Sequence, residues 1–227
     1  MITAFLYDVH GNLPALEAVL ADAGADRFLL GGDYALFGPW PAETVAALRA
    51  LPEATWIRGN GERWTAAAGQ APDNEVVQEA IAACRGALGD AVVVQLAALP
   101  EQLVIDGTRY CHGCPISDVR SLMPEPTDDE RELLGGANEP RLVFGHTHLP
   151  FRRVSAGGAI ELINPGSVGM PFDGDPRAAY ALLREDGSVE HRRVAYDYEA
   201  SADAVRERFG GAGWTEIIAR RISTASL

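Results

Sequence analysis

The chain has 227 residues, 47% of them apolar, and its 32 acidic and 19 basic side chains give a net charge of −13. That length supports one substantial core and no linker-like segment divides it, so a single domain over residues 1–227 is expected, and the negative charge argues against long nucleic acid as a partner. All the basic residues are arginine, which excludes a phosphate-loop lysine, a Schiff base and lysine acid–base chemistry.

Met1-Ile2-Thr3 runs straight into an apolar segment ending at Tyr7, without a basic region or cleavage-like site. No run of about 18 apolar residues occurs anywhere, so the reading is a cytoplasmic protein with no membrane contact. A helix follows on Leu13, Leu16, Val19, Leu20 and Ala23, with Pro14 in its first turn and Gly24 as its stop. Phe28 to Leu30 forms a second strand, Pro41 opens a second helix closed by Pro52, and Thr55 to Ile57 forms a third strand. This alternation predicts a parallel sheet.

Residues 73–99 read as a helical insertion, with Val76, Val77, Ala80, Ile81, Cys84 and Leu88 on one face. Short strands return near 103–106, 108–111, 141–145, 150–154, 159–163, 178–184 and 189–195. Turn signals at Asp106-Gly107, Gly157-Gly158 and Asp186-Gly187 predict that this half is largely antiparallel hairpins. Helices over 202–209 and 214–222 close the chain. Three cysteines do not suggest a disulfide framework, and Cys111-x-x-Cys114 has no second pair to complete a zinc site, so both are read as structural.

Four of the five histidines fall in short motifs, each placed after an apolar run: Asp8-Val9-His10, Gly32-Asp33, Gly59-Asn60-Gly61-Glu62, Cys111-His112-Gly113 and Gly145-His146-Thr147-His148. The polar residues then lie at the carboxyl ends of strands, where open α/β sheets build their sites. Singly, each motif reads as a cap, a turn or a core histidine. Five together do not. Asp, Asn and neutral His make an oxygen and nitrogen donor set suited to manganese, iron or zinc. Seven donors exceed the needs of one ion and suit two ions sharing a carboxylate, with Asp33 as the natural bridge. His191, outside every motif, is read as structural.

With these blocks in this order, the chain resembles the calcineurin-like metallophosphoesterase family, in its small bacterial and archaeal single-domain branch. Phe37-Gly38-Pro39 with Pro41 and Glu43 is similar to that branch's Tyr-Gly-Pro segment, and Asn164 to Gly169 followed by Asp173 to Tyr180 is similar to its C-terminal signature. The likeness covers residues 1 to about 195. It implies an α/β fold, a four-layer α-β-β-α sandwich of two mixed sheets, with a dinuclear site at one edge of both. By motif, Asp8, His10 and His148 would hold one ion, Asn60, His112 and His146 the other, and Asp33 would bridge. Asp33, Asn60 and His112 would serve catalysis through the metals, by in-line attack of a metal-bridging hydroxide. Arg58 and Glu62 would orient the ligands, and Asn164 and Ser167 would shape either the pocket rim or their own Gly-rich turn. The cofactor implied is two divalent ions, manganese first, with iron, zinc or nickel as the other choices.

Gly61 departs from the family pattern, because many members carry there a His that can protonate the leaving oxygen. Phe172 is a second departure, in a segment where an Arg is common. The resulting reading is a phosphoesterase for a small phosphorylated molecule such as a nucleotide, phosphodiester ahead of phosphomonoester. Tyr34, Phe37, Trp40 and Phe172 are the aromatic residues that could meet a base, packing being the plainer reading. A second reading keeps the fold as an interaction scaffold with little or no turnover. Gly61 supports it, and the complete set of seven donors speaks against it.

Overall fold

The computed structural model of the protein describes residues 1–211 and 213–227. The chain opens with β1 (Thr3–Leu6), α1 (Leu13–Ala23), β2 (Arg27–Leu30), α2 (Pro41–Arg49) and β3 (Ala54–Trp56). Asn12 caps α1 through its side chain, Pro14 sits in the first turn, and Gly24 ends the helix in the left-handed conformation. Strands β1, β2 and β3 pair in parallel, as the alternation predicts.

A helical stretch follows: α3 (Asn60–Ala66), α4 (Glu75–Leu88) and α5 (Asp90–Ala97). The second half holds β4 (Gln102–Ile105), β5 (Thr108–Cys111), α6 (Glu130–Leu133), β6 (Arg141–Val143), β7 (Phe151–Val154), β8 (Glu161–Asn164), β9 (Ala178–Leu183) and β10 (Val189–Val194). It closes with α7 (Tyr198–Phe209) and α8 (Gly213–Thr224).

Two mixed five-stranded sheets result, ordered β10-β9-β1-β2-β3 and β4-β5-β6-β8-β7. The hairpins β4–β5, β7–β8 and β9–β10 are antiparallel. The centre of the second sheet is not: β5, β6 and β8 run parallel. The second half is thus largely antiparallel, as the turn signals predict, around a parallel centre that they do not. The turn signals specify only local hairpins, while the long segment between β5 and β6 returns the chain to start a parallel strand.

Period-two alternation assigns each strand's residues to a layer. Ala4 and Leu6 of β1 face the helical side with Phe28, Leu30, Ala178, Tyr180 and Leu182. Phe5, Leu29 and Ala181 face the other way and meet Tyr110, Val143 and Ile163 of the second sheet in a shared inter-sheet core. On the outer face of the second sheet, Cys111, Leu142, Phe144 and Leu162 are covered by Leu122 and Leu133. The fourth layer is therefore thin, made of a loop and the one-turn α6, whereas the helical layer over the first sheet includes α1, α4, α7 and α8. Among the described residues no single helix is long and apolar enough to cross a membrane.

Candidate metal centre

All five motifs come to one edge of the sandwich. Asp8 follows β1, Asp33 follows β2, Asn60 opens α3 after β3, His112 follows β5, and His146 and His148 follow β6. The two sheets are joined here directly: His112 Nδ1 bonds the Gly31 carbonyl at 2.9 Å, and the His146 amide donates to Asp8 Oδ2 at 3.0 Å.

Backbone strain concentrates in the same place. Asp8, His10, Asp33, His146 and His148 all have φ between 49° and 67°, a region costly for residues with a Cβ and persistent only where the surroundings enforce it. Close packing explains two of the motif glycines. A Cβ on Gly59 would lie 2.3 Å from Asp33 Oδ1, and one on Gly145 would lie 2.6 Å from Asp8 Oδ2.

The donor atoms converge in two groups. Asp8, His10 and His148 form one, and Asp8, Asp33 and His112 form another, each with ligand atoms within 4.8 Å of one another. His10, His112 and His148 bond backbone carbonyls of Leu36, Gly31 and Met170 through Nδ1. A ring that donates from Nδ1 presents a bare Nε2 lone pair. The Nε2 atoms of His10 and His148 lie only 3.1 Å apart, two lone pairs facing each other, which a shared cation makes favourable.

Asp33 lies between the groups: Oδ2 is 3.9 Å from His10 Nε2, and Oδ1 is 3.5 Å from His112 Nε2. Asp8 Oδ1 is 3.5 Å from His148 Nε2 and 3.8 Å from His112 Nε2, yet it is buried with no hydrogen bond. The end of the Asn60 amide lies 3.0 Å from His112 Nε2 and 2.9 Å from His146 Nδ1. A nitrogen at this place would donate to both rings; an oxygen would share a cation with them. The orphaned Asp8 oxygen and the facing imidazoles fit bound divalent metal.

Electrostatics of the protein alone point the same way. Burial pushes the Asp33 carboxyl up to about 7, the Glu62 and Asp8 charges adding to that against the pull of His112. Burial and His148 depress His10 to about 3, and burial and His112 depress His146 to about 4, so both rings are neutral donors near pH 7. Asp8 is held below its ordinary value, since the histidines, His148 foremost, outweigh its burial.

The other predicted site residues fall in different places. Glu62 is buried and accepts the amides of Asp33, Tyr34 and Gly59 at 2.8–2.9 Å, which holds two motif loops in register. Arg58 does not reach the donors and instead pairs with Glu101. Asn164 and Ser167 are fully buried: Asn164 ties Gly145 O and Thr147, and Ser167 donates to Asp8 O while accepting from the Met170 amide. They shape the turn and not a rim. Gly61 donates its amide to Asp33 Oδ1 at 2.7 Å, and a Cβ there would meet that oxygen at 2.8 Å. Glycine at this position thus also leaves room for the carboxylate.

A cavity of about 500 Å³ opens over the donors, lined in part by His10, Asp33, Asn60, His146 and His148. Phe37 and Phe172 also line it, and Phe172 stacks on His148 with ring centroids 4.3 Å apart. Tyr34 does not, being fully buried and bonded to the Leu30 carbonyl, and Trp40 is absent from the lining too. Trp64 and Arg221 line the cavity without having been singled out in the sequence. Trp64 lies one helical turn after Asn60, a spacing that could have flagged it; Arg221 carries no local signal. Cys111 and Cys114 are buried free thiols in the outer core, both pushed up by burial, and His191 bonds the Asn164 carbonyl in β10.

Known proteins share this family and fold. The model of the calcineurin-like phosphoesterase superfamily domain covers residues 1–188. Phosphodiesterase YfcE of Escherichia coli (strain K12) is 32% identical over 198 residues, covering 80% of this chain and 86% of its own length. The crystal structure of a metallophosphoesterase from Sphaerobacter thermophilus has a TM-score of 0.85 at 28% identity, covering 99% of this chain and 100% of that one. The hypothetical protein PH1004 from Pyrococcus horikoshii OT3, 20% identical over 96% of this chain and 97% of its own, shares the fold with a TM-score of 0.83. With its strand-end motifs gathered around an Asp and His cluster that can hold metal, the chain belongs to the calcineurin-like phosphoesterase superfamily, a family of metal-dependent phosphate-ester hydrolases.

Proposed function

We propose that the protein hydrolyses a small phosphorylated molecule at a centre of two divalent ions, manganese first among them, and that phosphodiesters are better substrates than phosphomonoesters. The observation that carries this reading is Asp33, which turns one oxygen toward His10 and the other toward His112. Asp8, His10 and His148 would hold one ion, Asn60, His112 and His146 the other. Two such ions, when bound, neutralise charge on the phosphoryl oxygens and acidify water for in-line attack.

The chain's own residues do the positioning. Backbone carbonyls fix three imidazole rings with Nε2 inward, and Glu62 fixes the loop that carries Asp33. The neutral His10 and His146 rings need lose no proton to act as donors at pH 7.

Gly61 sets the preference among esters. No side chain stands at this position to protonate a leaving oxygen, a contribution worth about 10² to 10⁴ in rate, or roughly 3–5 kcal/mol of barrier. An aryl leaving group departs unaided. The cavity's size and its aromatic lining by Phe37, Trp64 and Phe172 suit a nucleotide-sized ester, and the charge of −13 disfavours a polyanion.

Metal analysis of the purified protein, followed by hydrolysis of bis(p-nitrophenyl) phosphate with manganese in excess, tests the reading. Two ions per chain and manganese-dependent turnover are expected. A single ion at saturation, with Asp33 touching none, would falsify the bridged centre.

A further inference from the structure

The family match ends at residue 188, and α8 lies beyond it. This helix nevertheless reaches the cavity, where Arg221 shares the lining with His10, Asp33, Asn60 and His148. Its guanidinium lies over the Phe172 ring, 6.0 Å from the centroid, and that ring in turn stacks on His148 at 4.3 Å. A line of three groups thus runs from the metal donors out to a cation.

Arg221 has no carboxylate partner among the described residues, although acids outnumber bases 32 to 19 and most other arginines are ion-paired. Its Nε is buried without a hydrogen bond, and so is Nε1 of Trp64 in the same lining. Burial and the adjacent Arg220 both press against its charge. A half-buried cation in such a place is stabilised by an anion it does not find among the described residues. Arg221 meets Phe172 and belongs to neither donor group, so the anion it would take is set apart from the phosphoryl group at the donors.

We propose that Arg221 is a specificity-determining residue: it holds a second anionic group of the substrate, a phosphate on the portion of the ester that lies against Phe172. This rests on the phosphoester reading of the site and narrows it to esters carrying a further anion, such as a nucleoside bisphosphate.

Two chromogenic esters isolate the effect: the p-nitrophenyl ester of thymidine 5′-phosphate, and the same ester with an added 3′-phosphate. They share the scissile bond and the leaving group. With manganese-loaded protein, kcat/KM should favour the second ester by about tenfold or more, as one charged hydrogen bond supplies. The gain should reside in KM. Arg221→Gln should bring the ratio close to one, and Arg221→Lys should retain part of it. Binding without turnover is read on metal-stripped protein, where adenosine 3′,5′-bisphosphate should raise the melting temperature more than adenosine 5′-phosphate does in wild type, and equally in Arg221→Gln. A wild-type ratio near one, or a ratio that survives Arg221→Gln, overturns the proposal. If neither ester is cleaved, the phosphoesterase reading fails and the melting shifts alone decide: the same bisphosphate advantage in both proteins, or none in wild type, removes the role of Arg221.

Discussion

The two ends of the β-sandwich are built from the same strands and behave oppositely. At the amino ends of β1, β2, β5 and β6 lies a groove of about 720 Å³, larger than the cavity over the metal donors, lined by Arg27, Glu53, Arg141 and Arg184 among others. Several charges around it are paired: Arg141 with Glu161 at 2.6 Å, Arg184 with Glu190, and nearby Arg109 with Glu139 at 2.6 Å. At the carboxyl ends the cavity is smaller, but an Asp oxygen, a Trp N–H and an Arg Nε are left without partners and five donor residues hold left-handed backbones. Buried polar atoms without partners mark the site, and cavity size does not; left-handed backbone occurs at both ends, at Glu53 and Asp106 of the groove as well as at the five donors.

The largest expected effect is on Asp33. Asp33→Asn should abolish manganese-dependent hydrolysis of bis(p-nitrophenyl) phosphate while the far-ultraviolet circular dichroism stays unchanged, because a neutral amide is a poor bridge between two cations. Turnover within a few fold of wild type would move the bridge to Asp8, whose oxygen also faces both groups.

Next comes stability. Glu62→Ala strands three buried amides, a loss of about 3 kcal/mol or more, or roughly 6–12 °C in melting temperature for a chain of this size. Glu190→Ala at the other end breaks only surface ion pairs, with Arg184 and Arg192, and should shift melting far less. Equal shifts would erase the contrast between the two ends.

The ends should also respond to pH with opposite signs. Asp33, pushed up to about 7 in the protein and near 3.8 when unfolded, binds more protons folded than unfolded between those values, so metal-free protein should lose stability as pH rises through 7. Glu139, pulled down to about 2 by Arg109, contributes stability that is full above its ordinary value of 4.5 and lost as pH falls toward 2. Thermal melts in a chelator from pH 3 to 9 check both limbs, and excess manganese should remove the decline toward pH 7 by stabilising ionised Asp33. A chelated protein as stable at pH 8.5 as at pH 6 would contradict the burial argument for Asp33.

The smallest effect belongs to Cys114→Ser. The thiol packs in the outer core of the second sheet, so turnover should stay within about twofold, with only the modest stability change of a conservative core substitution. Redox-dependent activity that disappears in this variant would give Cys111-x-x-Cys114 a role that its burial argues against.

Local patterns carried much of this protein. Alternating apolar runs, Pro14, Gly24 and the turn pairs located most strands and helices, because hydrogen bonding and backbone conformation are decided within a few residues. The five strand-end motifs were legible for the same reason, each being contiguous in the chain. What the chain alone left open depends on residues far apart. The parallel β5-β6-β8 centre comes from a 29-residue return path between β5 and β6. Arg58 turns to Glu101, Asn164 and Ser167 lock a turn, Tyr34 goes into the core, and Trp64 and Arg221 enter the cavity. Short-range sequence determined which groups could bind metal, since strand ends and their loops are local structures. Which side chains surround that centre was decided only by how two sheets and a C-terminal helix pack, for burial and charge pairing are properties of neighbours in space and not along the chain.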